Sequence, residues 1–275
     1  MTAEEDLKGR LSSPRRAAVT PYRATLLLPM VATIVSLLGL CLAWSLLARA
    51  WPNPALPAPT DVWRVLVKET ASGDLVYHLA MTLARVAAAY VVAMAIGTVL
   101  GILLGRRRRL DMFFNPWLVL FLNIPALVVI VLAYIWFGLT EAAAVGAVAI
   151  NKIPNVIVTI REGARALDNR LMEMASVYRL NRTDRVRHIL IPQLQPYFAA
   201  ASRSGIALIW KIVLVVELLG RSNGVGFQIY LYFQIFEVAG ILAYTLAFVA
   251  VMLMIELLLV QPIEYRATRW RRRAA

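Results

Sequence analysis

Apolar and polar positions along this chain separate into long blocks instead of alternating at short period. Six predominantly apolar blocks occur, at about 25–48, 79–105, 113–139, 142–161, 196–220 and 238–261. A bilayer core of about 30 Å requires roughly 20 apolar residues in a helix, so the pattern predicts an all-α polytopic membrane protein with about six transmembrane helices. Pro29 and Pro125 fall inside blocks, which a membrane helix tolerates when its neighbours satisfy the freed carbonyls.

The polar breaks carry an arginine bias. Arg10, Arg15, Arg16 and Arg23 precede the first block, Arg106 to Arg109 divide the second from the third, and Arg266 to Arg273 lie near the end. A further group lies between the fourth and fifth blocks, in the stretch EMASVYRLNRTDRVRHILIP from Glu173 to Pro192. The other breaks, 49–78, Thr140–Glu141 and 221–237, are poorer in basic residues. Basic residues collect in cytoplasmic loops, which puts both termini on the cytoplasmic side. The expected organisation is a cytoplasmic segment at 1–24, a membrane domain at 25–262 with a cytoplasmic loop at about 162–192, and a basic tail at 263–275. Trp51 to Pro59 is proline-dense and leads into a short surface helix.

Composition agrees with this pattern. Of 275 residues 60% are hydrophobic and 16% charged, and the mean hydropathy of +0.69 is too high for an ordinary soluble domain. The net charge of +13 then reports loops near anionic membrane lipid, and no basic domain stands apart to bind nucleic acid. Cys41 is the sole cysteine, and His78 and His188 lack ligand spacing, so neither a disulfide nor a zinc site is expected.

The charged stretch has order of its own. Leu167, Leu171, Met174 and Tyr178 recur at the spacing of one helical face, which predicts an amphipathic cytoplasmic helix over 164–180. Asn181 to Asp184 supply turn and N-cap residue types, and a second short helix is expected to end at Pro192. An apolar stripe on that side lies on the membrane or docks in another protein's groove.

Within the apolar blocks, Lys152 and Lys211 are costly, at roughly 2.5 to 3.5 kcal/mol each at the bilayer centre, so neither should face lipid. One reading pairs a lysine with Glu217. The other places Asn151, Lys152, Asn155, Trp210, Lys211 and Glu217 along a pathway for an anion. Asn123 and Pro125 sit where a helix can kink or a neighbour can pack closely. Arg85 and Arg203 are read as reaching the interface from span ends, and Glu256 as snorkelling or pairing with the basic tail.

The stretch 173–192 resembles the coupling loop of importer-type ATP-binding cassette permeases, whose pattern is Glu-Ala-Ala, three residues, Gly, and later Ile-x-Leu-Pro. Glu173, Ala175, Ile189 and Pro192 match, while Met174 stands at the first alanine, Arg179 at the glycine and Ile191 at the last leucine. Leu56 to Trp63, Thr82-Leu-Ala-Arg85, Gly97 to Gly105, Asn123-Ile-Pro125, Trp136-Phe-Gly138, Glu217-Leu-Leu-Gly220 and Gly224-Val-Gly226 resemble, in the same order, permeases of nitrate, sulfonate and taurine importers.

That resemblance implies a type I importer permease fold in the bacterial inner membrane, a homodimer, two ATPase subunits and a periplasmic solute-binding protein. ATP and Mg would be bound by the ATPase, since no Gly-x-x-x-x-Gly-Lys-Ser/Thr loop occurs here and the chain itself is expected to hold no cofactor and to be no enzyme. Leu167, Leu171, Glu173, Met174, Ala175, Tyr178, Arg179, Asn181 and Pro192 would form the ATPase contact. Asn123 and Pro125, by the place of their motif in such permeases, are further candidates for a pathway or gate. The implied solute is a small anion such as nitrate, a sulfonate or taurine; the alternatives are a thiamine pyrimidine precursor and, in another class, a channel. With arginine at the glycine position, the bend that glycine permits is expected to move to Asn181.

Overall fold

A computed structural model describes residues 22–51 and 53–262; the expected N-terminal segment up to residue 21 and the tail at 263–275 lie outside the described residues. The chain divides into two units, one up to Pro59 and one from Thr60. In the first, α1 (Tyr22–Ala50) is followed by the proline-dense link, whose Pro57 carbonyl accepts a hydrogen bond from the Trp44 indole at 3.0 Å. The part of α1 that stands out as an apolar helix is Val35–Ala50, shorter than a full span.

In the second unit the order is α2 (Pro59–Ser72), α3 (Asp74–Arg106), α4 (Arg108–Asn123), α5 (Ala126–Phe137), α6 (Glu141–Arg165), α7 (Asn169–Val177), α8 (Arg182–Arg185), a π turn (Val186–Leu190), α9 (Ile191–Gly220), α10 (Val225–Gln234), α11 (Val238–Ile255) and a second π turn (Glu256–Val260). Every described element is helical. Four helical rods are long and apolar enough to cross a membrane: α3, α6, the rod Thr183–Gly220 that contains α9, and Val238–Val260. The pair α4 and α5 makes a fifth only if it counts as one broken span.

The third apolar block is therefore not the continuous helix expected over 113–139. Pro125 biases Ile124 toward extended backbone, and Ile124 (φ −73°, ψ 125°) and Pro125 (φ −60°, ψ 133°) are both extended, so the helix axis turns by 95°. The Asn123 side chain donates to the Val119 carbonyl at 2.8 Å, satisfying one of the carbonyls left at the end of α4.

The core is set by the close approach of α3 to α6. Gly97, Gly101 and Gly105 recur every four residues and so share one face of α3. A Cβ on Gly97 would stand 2.6 Å from the Val156 Cβ, one on Gly101 2.8 Å from that of Ile160, and one on Gly105 2.6 Å from that of Ala164. Small residues at such a seam let backbones meet and gain dispersion energy where lipid offers no hydrophobic drive. Behind it, Val86, Ala89, Ile130, Val148, Ile209 and Val213 form one apolar cluster from α3, α5, α6 and α9.

Pro192 was expected to stop a helix and does not. The preceding π turn widens the coil, with the Ile191 amide bonded to the Val186 carbonyl five residues back, and the chain continues as one rod of 38 residues from Thr183 to Gly220. At 1.5 Å per residue that is about 57 Å, nearly twice the bilayer core, so one end of the rod stands outside it.

Candidate functional site: an ion-pair lock, a buried lysine and a bent hairpin

Three distant stretches meet at the end of α3 that carries Asp74. Glu217, 0% exposed, lies at the end of α9, and Arg85, 3% exposed, reaches it from α3 with Nη1 2.7 Å from Oε1. The second carboxylate oxygen accepts from the Thr82 hydroxyl and the Gly226 amide, each at 2.9 Å. Arg85 also donates to both oxygens of Glu141 at 2.9 and 2.7 Å, to the Asn223 carbonyl at 2.9 Å and to the Asn223 side-chain oxygen. Arg221 bonds Glu141 and the Leu139 carbonyl.

The loop 221–226 is thereby pinned onto α3. The Val225 amide donates to Thr82 at 2.8 Å and the Gly224 amide to His78 Nδ1 at 2.9 Å. Gly224 has φ +109°, and a Cβ there would stand 2.3 Å from the Glu217 carboxyl carbon, so only glycine lets the loop close over the acid. Two carboxylates face two guanidinium groups in this lock, and both oxygens of the buried Glu217 accept hydrogen bonds, as a buried charge requires.

These distances correct several expectations. Glu217 is neutralised by Arg85, not by a lysine, and its closed setting removes it from the candidate pathway surface. Arg85 does not snorkel; it turns inward. Arg203 and Glu256 pair with each other, Nε to Oε1 at 3.7 Å, so Glu256 has a partner other than the tail. Arg85, Glu141, Thr82 and Asn223 were missed as a cluster, although Thr82-Leu-Ala-Arg85, Glu217-Leu-Leu-Gly220 and Gly224-Val-Gly226 were all visible as separate motifs.

Lys152 is 2% exposed, on α6, enclosed by α3 and α9. Its Nζ lies 3.4 Å from the Ser204 hydroxyl, and its Cε packs against Gly205, where a Cβ would stand 3.2 Å away. No carboxylate pairs with it among the described residues. Lys211 instead is exposed, with Nζ 5.5 Å from the Trp210 ring centroid. Trp210 is a packing residue, 5.7 Å from the Phe248 ring between two apolar clusters. Asn151 and Asn155 are half-buried one turn apart on α6, while Asn123 and Pro125 are exposed at the α4–α5 bend.

At the arginine-rich end, α6 stops at Arg165 and Asp168 caps α7 by accepting from the Arg170 amide at 2.8 Å. The helix expected over 164–180 is thus two pieces. Leu167 sits in the bend against Ala164, Leu190 and Leu194, and does not continue the stripe. What α7 and its cap expose is Leu171, Met174, Val177 and Tyr178, the last at 74%, together with Glu173, while Ala175 is buried.

Arg179 overturns the expected shift of the bend. It has φ +52°, and α7 ends in a Schellman motif, the Leu180 amide bonding the Ala175 carbonyl at 2.9 Å and the Arg179 amide that of Ser176 at 3.1 Å. Arg179 itself takes the left-handed conformation that glycine would favour. Asn181 does the other work foreseen for it: its side chain caps α8 by accepting from the Asp184 amide at 2.7 Å.

Apolar rods tied by a polar lock, with a capped helical hairpin at the opposite end, define a polytopic helical membrane protein. Residues 97–266 match the family described as the binding-protein-dependent transport system inner membrane component, and the chain belongs to that family. It is a multi-pass inner-membrane component of such a transport system.

Among its relatives, a protein of Bacillus subtilis named as an aliphatic sulfonates transport permease, SsuC, is 28% identical over 63% of this chain and 63% of its own length, just under two thirds. The protein of that name from Escherichia coli is 25% identical over 69% of this chain and 73% of its own. The nitrate import permease NrtB of Leptolyngbya laminosa is 26% identical over 80% and 84%.

Proposed function

We propose that this chain forms the pathway through which a small anion enters the cell, driven by ATP hydrolysed on a separate ATPase subunit. The observation that carries the coupling is the α7–α8 hairpin: a capped unit continuous with the α9 rod, whose Leu171, Met174, Val177 and Tyr178 offer an apolar face beyond the spans. Movement of a partner beneath that face would be transmitted to the attached rod as a tilt. Glu173, Arg179, Asn181 and Pro192 would border this contact. The partners are two ATPase subunits holding ATP and Mg, a second copy of this chain and a periplasmic solute-binding protein.

In this reading α1 supplies a sixth span and the broken pair another, with both termini cytoplasmic. The segments 1–24 and 263–275 flank a permease domain at 25–262, whose coupling loop is 162–192. Lys211, exposed on a span, needs a polar surrounding, which a pathway between two copies supplies. Lys152 adds a positive charge without a carboxylate partner, and Asn151, Asn155, Asn123 and Pro125 are the remaining pathway candidates.

The names of the sulfonate and nitrate relatives support an anion. Uptake of labelled nitrate, taurine, an alkanesulfonate and a thiamine pyrimidine, in cells with and without this chain, tests the choice. Loss of uptake of one anion on deletion is expected. Loss of only the pyrimidine would replace the anion with a vitamin precursor, and unchanged uptake of all four would remove the assignment.

A further inference from the structure

Between α3, α4 and α6 runs an open apolar groove of about 470 Å³. Its walls include Ile96, Leu100, Leu103, Trp117, Phe121 and Ile157, and nothing polar contributes appreciably to its surface. From Ile96 to Arg106 is ten residues, about 15 Å along the helix, which is the depth of one leaflet of a bilayer core of about 30 Å.

The groove ends at Leu104, which also lines a second hollow with Gly105, Arg108, Asp111, Met112 and Arg165. That hollow carries two arginines and one aspartate in its lining. Arg106, Arg107, Arg108 and Arg109 are all exposed on the turn between α3 and α4, and none of them makes an ion pair among the described residues. The acid in the hollow is already taken: Asp111 is bonded by Arg161 at 2.9 Å and by Arg165. An apolar slot of acyl length thus leads to the end of α3 where Arg106 to Arg109 are exposed.

We infer that the α3–α4–α6 groove and the Arg106–Arg109 turn form a binding site for an anionic glycerophospholipid, its acyl chain along Trp117 and Leu100 and its phosphate at Arg108. Charge selects this occupant over a neutral lipid, because basic clusters at a membrane face attract anionic headgroups. It selects it over a second copy of the chain as well, since twofold contact would bring four exposed arginines of each copy toward like charge. The inference holds whichever solute the chain passes.

Brominated lipids report the site directly, because bromine quenches a tryptophan that it touches. The full chain is placed in phosphatidylcholine vesicles containing increasing dibrominated phosphatidylglycerol or, separately, dibrominated phosphatidylcholine. The Trp117 contribution is taken as the difference from Trp117→Phe. Half-quenching at a several-fold lower fraction of the phosphatidylglycerol is expected. In Arg108→Gln/Arg109→Gln that preference should fall to near parity, with quenching by the phosphatidylcholine unchanged as the sign of an intact fold. Equal quenching by both lipids overturns the proposal, as does a preference that survives the arginine substitutions. Absence of quenching by either lipid also overturns it, since the groove would then be covered by protein.

Discussion

Arg85 and Glu217, 132 positions apart, meet at 2.7 Å in a pocket from which water is excluded. Neither residue leaves room for another partner: Arg85 divides its donors between Glu217, Glu141 and Asn223, and Glu217 takes Thr82 and the Gly226 amide with its other oxygen. The pair ties α3, the end of α9 and the start of α10 into one unit at the end of the bundle opposite the hairpin.

Breaking that pair from one side leaves a buried charge. Arg85→Met should lower stability by roughly 3–5 kcal/mol, whereas Arg85→Met combined with Glu217→Met should recover much of the loss. Thermal unfolding in detergent, followed by tryptophan fluorescence, measures both; a double variant no more stable than the single one would contradict a direct pair.

The seam between α3 and α6 has no room for a larger residue. Gly101→Val would drive atoms into Ile160, where a Cβ alone already stands at 2.8 Å, and should cost at least about 1–3 kcal/mol by overpacking. Gly146→Val is the control, since a Cβ there meets nothing within 4 Å. Equal melting temperatures for the two variants would show that the helices are not in contact.

At the hairpin, Arg179 holds a conformation that costs an L-residue roughly 1–2 kcal/mol. Arg179→Gly should slow hydrogen exchange at the Leu180 amide several-fold, because the end of α7 loses strain. Asn181→Ala should do the reverse at Asp184, costing about 1 kcal/mol with its cap. Faster exchange in Arg179→Gly would mean that arginine contacts outweigh the backbone.

Lys152 is expensive to bury, so Lys152→Met should leave stability equal or higher while anion uptake falls. Lys211→Met should lower uptake without a change in melting. Transport unaffected in both variants and in their combination would remove the lysines from the pathway.

Much of this was legible in the sequence, and the failures have physical causes. Block length alone located most of the spans. It could not show that Pro125 would turn the axis by 95°, because a proline in a membrane helix can as well be absorbed as a mild kink. Pro192 looked like a stop, and a π turn, which has no residue signature, carried the helix through it. Arg85 looked like a span-end residue that snorkels; which way a long side chain turns depends on partners more than a hundred positions away. The Glu217, Gly224 and Gly226 motifs were visible, but their common purpose, closing a loop on a carboxylate, appears only when Thr82 and Arg85 are brought beside them. At Arg179 the choice between two candidate bends rested on residue preference, and the surrounding helix ends overrode it.

ATP-dependent uptake by proteoliposomes holding this chain, its ATPase and its binding protein, with and without Leu171→Asp, tests the coupling most directly. Uptake that requires ATP, and that is lost in Leu171→Asp while the chain still inserts and binds less ATPase, is the expected result. Flux that proceeds equally without ATP, or is unchanged by Leu171→Asp, would contradict a permease driven through the α7–α8 hairpin.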